Sequence, residues 1–285
     1  MSDTGRLPAD TTVGPVSLRV GNIEQALAFY GDTLGFRVVE RSAATATLAA
    51  TPDEPVLIHL EGRPGVRHRA EGTPGLYHFA VLFPDRRDLG RTLLRLFEMR
   101  VPFQGFADHG ISEAAYLADP DGNGIELAAD RPRVQWERQG EEIAMVTQVL
   151  NVTGLLRAID GDPWIGQPAG TRIGHIHLHV ADLAAARHFY SDVLGFDVTN
   201  SRVPGAVFLA SGGYHHHIAV NTWTRQPRPA EEESVAGMIE FVLRVPDPAA
   251  REALSARLAA AGSPLEGDGA SFVTCDPDRN RIRIA

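Results

Sequence analysis

The stretch HGISEAAYLADPDGNGIEL (residues 109–127) decides the fold of this chain. At its centre, DPDGNG is rich in the residues of tight turns, because Asp and Asn bond their own backbone and Gly accepts positive φ. The apolar runs AAYLA and IELAA on either side have the length of strands. The stretch therefore predicts two strands joined by a turn. The second strand carries Glu126, and a carboxylate in an apolar strand is costly unless it is paired or binds a metal. The stretch alone leaves both interpretations open, an edge-exposed glutamate and a metal ligand.

Length and composition restrict the class of protein. A chain of 285 residues with 44% hydrophobic content can bury a large core and is long enough for about two domains. The net charge of −9 argues against a nucleic-acid partner, since phosphate binding requires a positive surface. All 27 basic residues are arginine, which excludes Schiff-base chemistry and a P-loop lysine. The 11 histidines are candidate metal ligands.

The same sequence carries information on location. No apolar run approaches the roughly 20 residues of a membrane span, and the polar N-terminus lacks the apolar core of a signal peptide. The single cysteine, Cys275, fits a reducing compartment. We therefore expect a cytoplasmic protein without a membrane partner.

Two duplications organise the chain. The segment VGPVSLRVGNIEQALAFYGDTLGF (13–36) returns as IGHIHLHVADLAAARHFYSDVLGF (173–196), and a second repeat ends in DPDGNGIEL and in DPDRNRIRI. Each unit predicts a strand, a helix and three further strands. The fold class is therefore α+β, with four β-α-β-β-β modules at 13–61, 76–128, 173–222 and 237–285. We expect an N-terminal pair within 1–130, a C-terminal pair within 171–285, and a linker at 131–170 with one short helix near 149–159.

These modules resemble the vicinal oxygen chelate superfamily, which includes glyoxalase I, bleomycin-resistance proteins and extradiol ring-cleaving dioxygenases. The motifs YHFAVLF, GHIHLHV and GYHHHIAVNTW are most similar to those of CatE-like catechol 2,3-dioxygenases. The resemblance covers nearly the whole chain. It implies two cupped mixed sheets, each made by two modules, with ligands on the first and last strands of each module.

The resemblance also implies a set of metal ligands. The ligand positions of modules two and three carry His78, Glu126 and His175, with His217 as a further imidazole. The positions of module one, Pro15 and Leu57, have no ligand atom, and module four offers Glu240 and Arg283. Because arginine stays protonated, Arg283 cannot bind a metal. His78, His175 and Glu126 form a 2-His-1-carboxylate set that leaves positions open for substrate and O2. The ion implied is Fe(II), with Mn(II) possible.

The ring-cleaving dioxygenases have a second signature, in which a His and a Tyr precede the turn and the ligand Glu. His109 and Tyr116 fall at those positions, while Ala115 stands where the family has a larger apolar residue. By this resemblance His109 and Tyr116 would hydrogen-bond the substrate, and His217 would be the acid–base residue. The run HHH leaves the role of His215 open, as it does for His177 and His179 on the strand of His175.

Two arrangements of the modules are compatible with these residues. Pairing one with two and three with four would split the ligands between two incomplete sites. Pairing two with three assembles the full set and leaves one with four as a structural pair, and this pairing is favoured. The sequence does not decide whether the partners come from one chain or from a homo-oligomer.

The function implied is extradiol cleavage of catechol or a substituted catechol with O2. Two other classes share the fold and stay open. A glyoxalase-like isomerase or lyase would use the same metal ligands but would not need His109 and Tyr116. A non-catalytic small-molecule binder, as in antibiotic sequestration, needs a cavity but no metal ligands.

Overall fold

The computed structural model describes residues 5–70, 72–159, 161, 163–223, 234–268 and 270–285. The first eight strands are β1 (Thr12–Val20), β2 (Arg37–Arg41), β3 (Thr45–Ala49), β4 (Val56–Gly62), β5 (Gly75–Phe83), β6 (Gly105–Asp108), β7 (Ser112–Ala118) and β8 (Gly124–Asp130). The remaining strands are β9 (Arg138–Gln139), β10 (Glu142–Ile143), β11 (Arg172–His179), β12 (Asp197–Asn200), β13 (Ala206–Ala210), β14 (Ile218–Asn221), β15 (Gly237–Arg244), β16 (Glu266–Asp268), β17 (Ser271–Cys275) and β18 (Arg281–Ile284).

In the residues that the structure describes, five α-helices accompany the strands. They are α1 (Ile23–Leu27), α2 (Arg86–Glu98), α3 (Val152–Arg157), α4 (Leu183–Arg187) and α5 (Pro248–Ala260). The described part of the chain contains no helix long and apolar enough to cross a membrane.

All of these strands except β9 and β10 form two curled mixed sheets of eight strands each. The inner sheet has the order β12-β13-β14-β11-β5-β8-β7-β6 and is made by modules two and three. The outer sheet has the order β16-β17-β18-β15-β1-β4-β3-β2 and is made by modules one and four. The α+β fold of four β-α-β-β-β modules is confirmed. So is the pairing of module two with module three, which takes place within one chain.

Each sheet therefore draws one module from each half of the chain. The division into an N-terminal pair (1–130) and a C-terminal pair (171–285) stays a prediction about domains. The segment between the halves contains the short hairpin β9–β10 and the helix α3, which lies within the predicted region 149–159.

The two FY-containing repeats fold alike because they carry the same local signals. Asn22 begins α1 by accepting hydrogen bonds from two backbone N–H groups, and Asp182 begins α4 in the same way. Both helices continue into a π-helical turn and end before a glycine with positive φ, 86° at Gly35 and 95° at Gly195. Only glycine adopts this backbone conformation without strain, so these residues end the helices.

Two buried hydrogen bonds connect the sheets. The Tyr30 hydroxyl, from module one, donates to Asp119 Oδ2 of module two over 2.9 Å. The Tyr190 hydroxyl, from module three, donates to Asp276 Oδ2 of module four over the same 2.9 Å. Each bond joins the outer sheet to the inner one. The DPD turns therefore connect modules that are neighbours in sequence but belong to different sheets.

The helices and the apolar faces of both sheets share one hydrophobic core. Phe79 and Ile176 of the inner sheet are fully buried in it, as are Leu18 and Ile282 of the outer sheet. Full burial of one such side chain contributes roughly 1.5–3 kcal/mol to folding. The opposite face of the inner sheet is thereby free to carry polar groups.

Candidate metal centre

Three adjacent strands of the inner sheet present the candidate ligands. His78 lies on β5, His175 on β11 and Glu126 on β8, and β5 lies between the other two. Antiparallel pairing places His78 opposite His177, while parallel pairing places Glu126 opposite Ala80. The sheet register therefore brings two imidazoles and one carboxylate from distant parts of the chain to one place.

The three donor atoms form a nearly equilateral triangle. Oε2 of Glu126 lies 3.1 Å from Nε2 of His78 and 3.3 Å from Nε2 of His175. The two Nε2 atoms are 3.3 Å apart. Ligands about 2.1 Å from one ion and at right angles to each other are about 3 Å apart. This donor triangle thus has the dimensions of one face of a coordination octahedron.

The protonation states favour metal binding. Burial lowers the pKa of His78 below its ordinary value, so the ring is neutral and has a free lone pair. Burial by itself would raise the pKa of Glu126, but the adjacent His175 and His78 hold this pKa well below its usual range. Two imidazoles and an ionised carboxylate are the donors of a facial 2-His-1-carboxylate site. In the described part of the chain, no other group of three potential ligand side chains brings its donor atoms within 4.8 Å of one another.

Through His78 and Glu126, the donor triangle borders a cavity of about 280 Å³, which we call the inner cavity. Apolar side chains surround most of it: Ala107, Ile111, Met145, Val146, Val203, Phe208 and Trp223. His78 and Glu126 line it, together with Tyr77, His109 and Tyr116. A largely apolar cavity with a few polar groups on one wall is typical of a small-molecule site.

His109 and Tyr116 form a pair within this cavity. The His109 Nδ1 atom lies 2.8 Å from the Val146 carbonyl oxygen, which can only accept, so Nδ1 carries the hydrogen. In the neutral ring Nε2 is then an acceptor, and the Tyr116 hydroxyl donates to it over 2.7 Å. Burial, and then the charge of Glu126, raise the pKa of Tyr116 well above its ordinary value. The phenol therefore stays protonated.

The structure separates His217 from the inner cavity. His217 lines a different cavity of about 560 Å³ between the sheets, next to Tyr214 and Arg172. Its Nδ1 accepts a hydrogen bond from the Ser211 backbone N–H over 3.3 Å, and burial lowers its pKa to about 3. The sequence assigned the acid–base role to His217, but the adjacent His216 is the residue of the HHH run that lines the inner cavity. Its ring centroid is 4.1 Å from that of His175.

The discrepancy has a physical reason. The assignment by resemblance places the HHH run on the last strand of module three, but β14 begins only at Ile218. The three histidines lie in the turn before it, where side chains do not follow a two-residue period. His216 rather than His217 therefore lines the inner cavity.

The histidines on β11 have different surroundings. His177 lines the inner cavity, and its Nε2 lies 2.8 Å from Asn221 Nδ2. The Asn221 Oδ1 atom accepts from the Trp223 backbone N–H and lies 2.7 Å from His179 Nδ1. The backbone donor fixes the orientation of the amide, so Nδ2 donates to His177 and Oδ1 accepts from His179. Both rings are thereby held in place by one buried amide.

Part of the cavity wall had no signal in the sequence. Met145 and Val146 belong to the segment between the halves, which was interpreted as a linker only. They reach the site because this segment crosses the open side of the inner sheet, with Gln148 N–H bonded to the Asp108 carbonyl over 2.9 Å. No motif marks such a crossing in a single sequence.

The described residues of the outer sheet form no comparable site. Its register places Glu240 at the point that corresponds to His78, since Glu240 pairs with Ser17 as His78 pairs with His177. Arg283 corresponds to Glu126, since it pairs with Val242 as Glu126 pairs with Ala80. The Arg283 guanidinium donates to both carboxylate oxygens of Glu240, over 2.7 and 3.1 Å. An ion pair therefore fills this position.

Comparisons with known proteins agree with this architecture. The sequence pattern of the family described as the Glyoxalase/Bleomycin resistance protein/Dioxygenase superfamily matches residues 12–127 and 172–284. The chain is 40% identical over 270 residues to the catechol-2,3-dioxygenase of Bacillus subtilis (strain 168), covering 94% of each chain. It is 36% identical over 119 residues to biphenyl-2,3-diol 1,2-dioxygenase 3 of Rhodococcus globerulus, covering 40% of this chain and 60% of that protein.

A solved structure shows the same fold. Glyoxalase I from Zea mays superposes with a TM-score of 0.58 at 15% identity, covering 96% of this chain and 92% of the other. At this level of identity the likeness concerns the fold alone.

Proposed function

Because this chain belongs to the glyoxalase/bleomycin resistance protein/dioxygenase superfamily, we propose that it is an extradiol dioxygenase that opens a catechol ring with O2. The observation that carries the proposal is the buried donor triangle at the wall of the inner cavity. The relative with 40% identity, named catechol-2,3-dioxygenase, supports the same reaction class. His109 and Tyr116 beside the triangle favour this reaction over a glyoxalase-like one.

The ligands proposed are His78, Glu126 and His175. Their three donors occupy one face of the coordination sphere and leave the face toward the cavity open. A non-haem divalent ion fits these donors, and we propose Fe(II), with Mn(II) as the second candidate. When bound, the ion would stabilise the catechol anion and bring O2 beside the ring.

The inner cavity is large enough for a single-ring diol. An apolar cavity of about 150 Å³ binds benzene, and the inner cavity has about 280 Å³. The remaining space accommodates O2 and a small ring substituent. The apolar side chains Ile111, Phe208 and Trp223 would contact the ring carbons. We therefore propose catechol, or a catechol with a small apolar substituent, as substrate.

The protein side chains would move and hold protons. His216 would accept the proton of a catechol hydroxyl, so that the O–H bond breaks and its electron pair stays on the oxygen. Burial lowers the pKa of His216 well below its ordinary value, so the ring is neutral before substrate binds. On substrate binding, Tyr116 would turn its single hydroxyl hydrogen from His109 Nε2 to a substrate oxygen, and His109 lies directly behind the phenol. Such preorganised donors stabilise charge that develops during the reaction.

Isotope labelling tests the reaction class. The full chain is loaded with Fe(II) or Mn(II) under anaerobic conditions and then given catechol and ¹⁸O2. We expect oxygen uptake and a ring-opened product that contains both labelled atoms. No oxygen uptake, combined with isomerisation of a glutathione hemithioacetal, would instead identify the glyoxalase-like class. Binding of catechol without turnover by either loaded form would identify a non-catalytic binder.

A further inference from the structure

A chain of short contacts leads away from the inner cavity through the HHH run. The Nδ1 atom of His216 lies 2.7 Å from Nδ1 of His215. On the other side of the His215 ring, Nε2 lies 2.9 Å from Asp130 Oδ1. Asp130 ends β8, the strand that carries Glu126, and the two-residue period of the strand puts both carboxylates on one face.

The hydrogen positions in this chain of contacts follow from donor and acceptor chemistry. A carboxylate only accepts, so the hydrogen between Asp130 and His215 belongs to His215 Nε2. A neutral imidazole has one N–H group, which leaves His215 Nδ1 as an acceptor. The hydrogen between the two Nδ1 atoms therefore belongs to His216. In the neutral His216 ring, Nε2 is then unprotonated.

Several neighbours hold the carboxylate and the ring in this arrangement. The Tyr214 hydroxyl donates to Asp130 Oδ2 over 2.9 Å, so both oxygens of the carboxylate are engaged. The Tyr214 ring packs on the His215 ring with centroids 4.0 Å apart, and Trp136 contacts the same ring at 5.2 Å. Only 1% of His215 is exposed. The ring therefore cannot turn over to exchange its two nitrogens without disturbing this packing.

We propose that Asp130 and His215 are positioning residues that hold His216 as its Nδ1–H tautomer and so keep Nε2 unprotonated at the wall of the inner cavity. The catalytic part of this inference rests on the proposed function, in which His216 accepts a proton from the substrate. The other tautomer would place an N–H donor at Nε2 and could not accept that proton. A carboxylate two groups away also stabilises the imidazolium that forms.

Nuclear magnetic resonance tests the tautomer without any turnover. Long-range ¹H–¹⁵N correlation spectra of the full-length chain, labelled with ¹⁵N-histidine, distinguish a protonated from an unprotonated ring nitrogen. Signals are assigned from the His215→Phe and His216→Gln variants. We expect an Nδ1–H ring at His216 and an Nε2–H ring at His215 in the wild-type chain. An Nε2–H ring at His216 would overturn the inference.

The variant Asp130→Asn tests whether the Asp130 carboxylate determines the tautomer of His216. The neutral amide can present a donor to His215 Nε2, so we expect an Nε2–H population of His216 to appear. With Fe(II) loaded, kcat should fall by at least roughly 10²-fold with KM unchanged. Asp276→Asn is the matched control, because it removes a buried carboxylate of the outer sheet that also accepts from a tyrosine. It should leave the His216 signals unchanged.

A second variant covers the case in which Asp130→Asn does not fold. His215→Phe keeps the aromatic packing against Tyr214 and removes the acceptor for His216, so a mixture of His216 tautomers is expected. A pure Nδ1–H ring at His216 in either variant would overturn the role of the two residues. So would a changed tautomer with unchanged kcat. Absence of ring cleavage by the wild-type chain would instead contradict the proposed function, while the tautomer spectra would still decide this inference.

Discussion

Arg283 and Glu240 form a doubly hydrogen-bonded ion pair at the point of the outer sheet where the inner sheet carries Glu126 and His78. One sheet thus holds a carboxylate paired with a guanidinium, and the other holds a carboxylate that contacts two imidazoles. A buried carboxylate without an arginine or lysine partner favours a bound cation. The ion pair provides a natural control for experiments on the metal centre.

The first prediction concerns metal content. Glu126→Ala removes the only anionic donor of the triangle, so stoichiometric binding of Fe(II) and turnover should both be lost. Metal analysis after gel filtration measures this. Glu240→Gln, at the corresponding point of the outer sheet, should keep one ion per chain. Stoichiometric metal in Glu126→Ala would show that this carboxylate is not a ligand.

The second prediction compares two adjacent histidines. His216→Ala should keep the metal and bind catechol but lower kcat by roughly 10²–10⁴-fold, the usual contribution of an acid–base group. His217→Ala should change kcat much less, because this ring lies in the cavity between the sheets. Steady-state kinetics of the two variants at equal metal content decides between them. A larger loss in His217→Ala would restore the role that the sequence suggested for it.

A third prediction concerns the phenol beside the metal. Tyr116→Phe removes a donor that His109 and the cavity hold in place. We expect kcat to fall by up to roughly 10²–10³-fold, the range for one preorganised donor, while metal content stays the same. Equal kcat for Tyr116→Phe and the wild type would show that the phenol only fills space.

The fourth prediction concerns the hydrogen bonds between the sheets. Tyr30→Phe leaves the buried Asp119 with one donor fewer, which should lower the free energy of unfolding by roughly 1–3 kcal/mol. Tyr190→Phe, at the equivalent bond to Asp276, should cost a similar amount. Urea unfolding at neutral pH measures both. No loss of stability in either variant would mean that these bonds contribute nothing net.

The fifth prediction gives a dependence on pH. Burial raises the pKa of Asp276 to about 6, although its hydrogen bonds to Asn280 and Tyr190 act in the opposite direction. The folded chain therefore binds a proton in a range where the unfolded chain has already released it. The contribution of Asp276 to the free energy of unfolding should fall as pH rises from about 4 to about 6, because the unfolded state then binds fewer protons.

The carboxyl ¹³C signal of Asp276 should accordingly titrate with a midpoint near 6. In Tyr190→Phe the midpoint should move upward, since the tyrosine donor stabilises the charged form. A midpoint near that of an unperturbed aspartate would contradict the expected penalty of burial.

Much of the fold could be predicted from the sequence because the signals are local and repeated. The two FY repeats, their capping residues Asn22 and Asp182, and the DPD turns each determine a strand, a helix or a turn by themselves. The module pairing followed from one further fact, that Pro15 and Arg283 cannot bind a metal. The absence of ligand atoms at these two positions is as specific as a motif, since it leaves only one pairing of the modules with a complete ligand set.

The remaining features depend on contacts that a single sequence does not specify. The two-residue alternation of side chains applies only within a strand. It therefore cannot predict which of His216 and His217 faces the inner cavity, because both lie before β14 begins. The partner of His215 is Asp130, 85 residues earlier in the chain, and only the sheet register brings the two together. Met145 lines the inner cavity but belongs to the segment between the two halves, which has no recognisable sequence motif.

The arrangement of the sheets also has a consequence for the order of folding. The outer sheet pairs β1 with β15, so it cannot close until β15 has been synthesised. The inner sheet needs only the middle of the chain, and its strands meet at shorter sequence separations. Loop closure over shorter separations is faster. We expect pulse-labelling hydrogen exchange during refolding to show β5 and β11 protected before β1. The inner sheet would then form before module one pairs with module four.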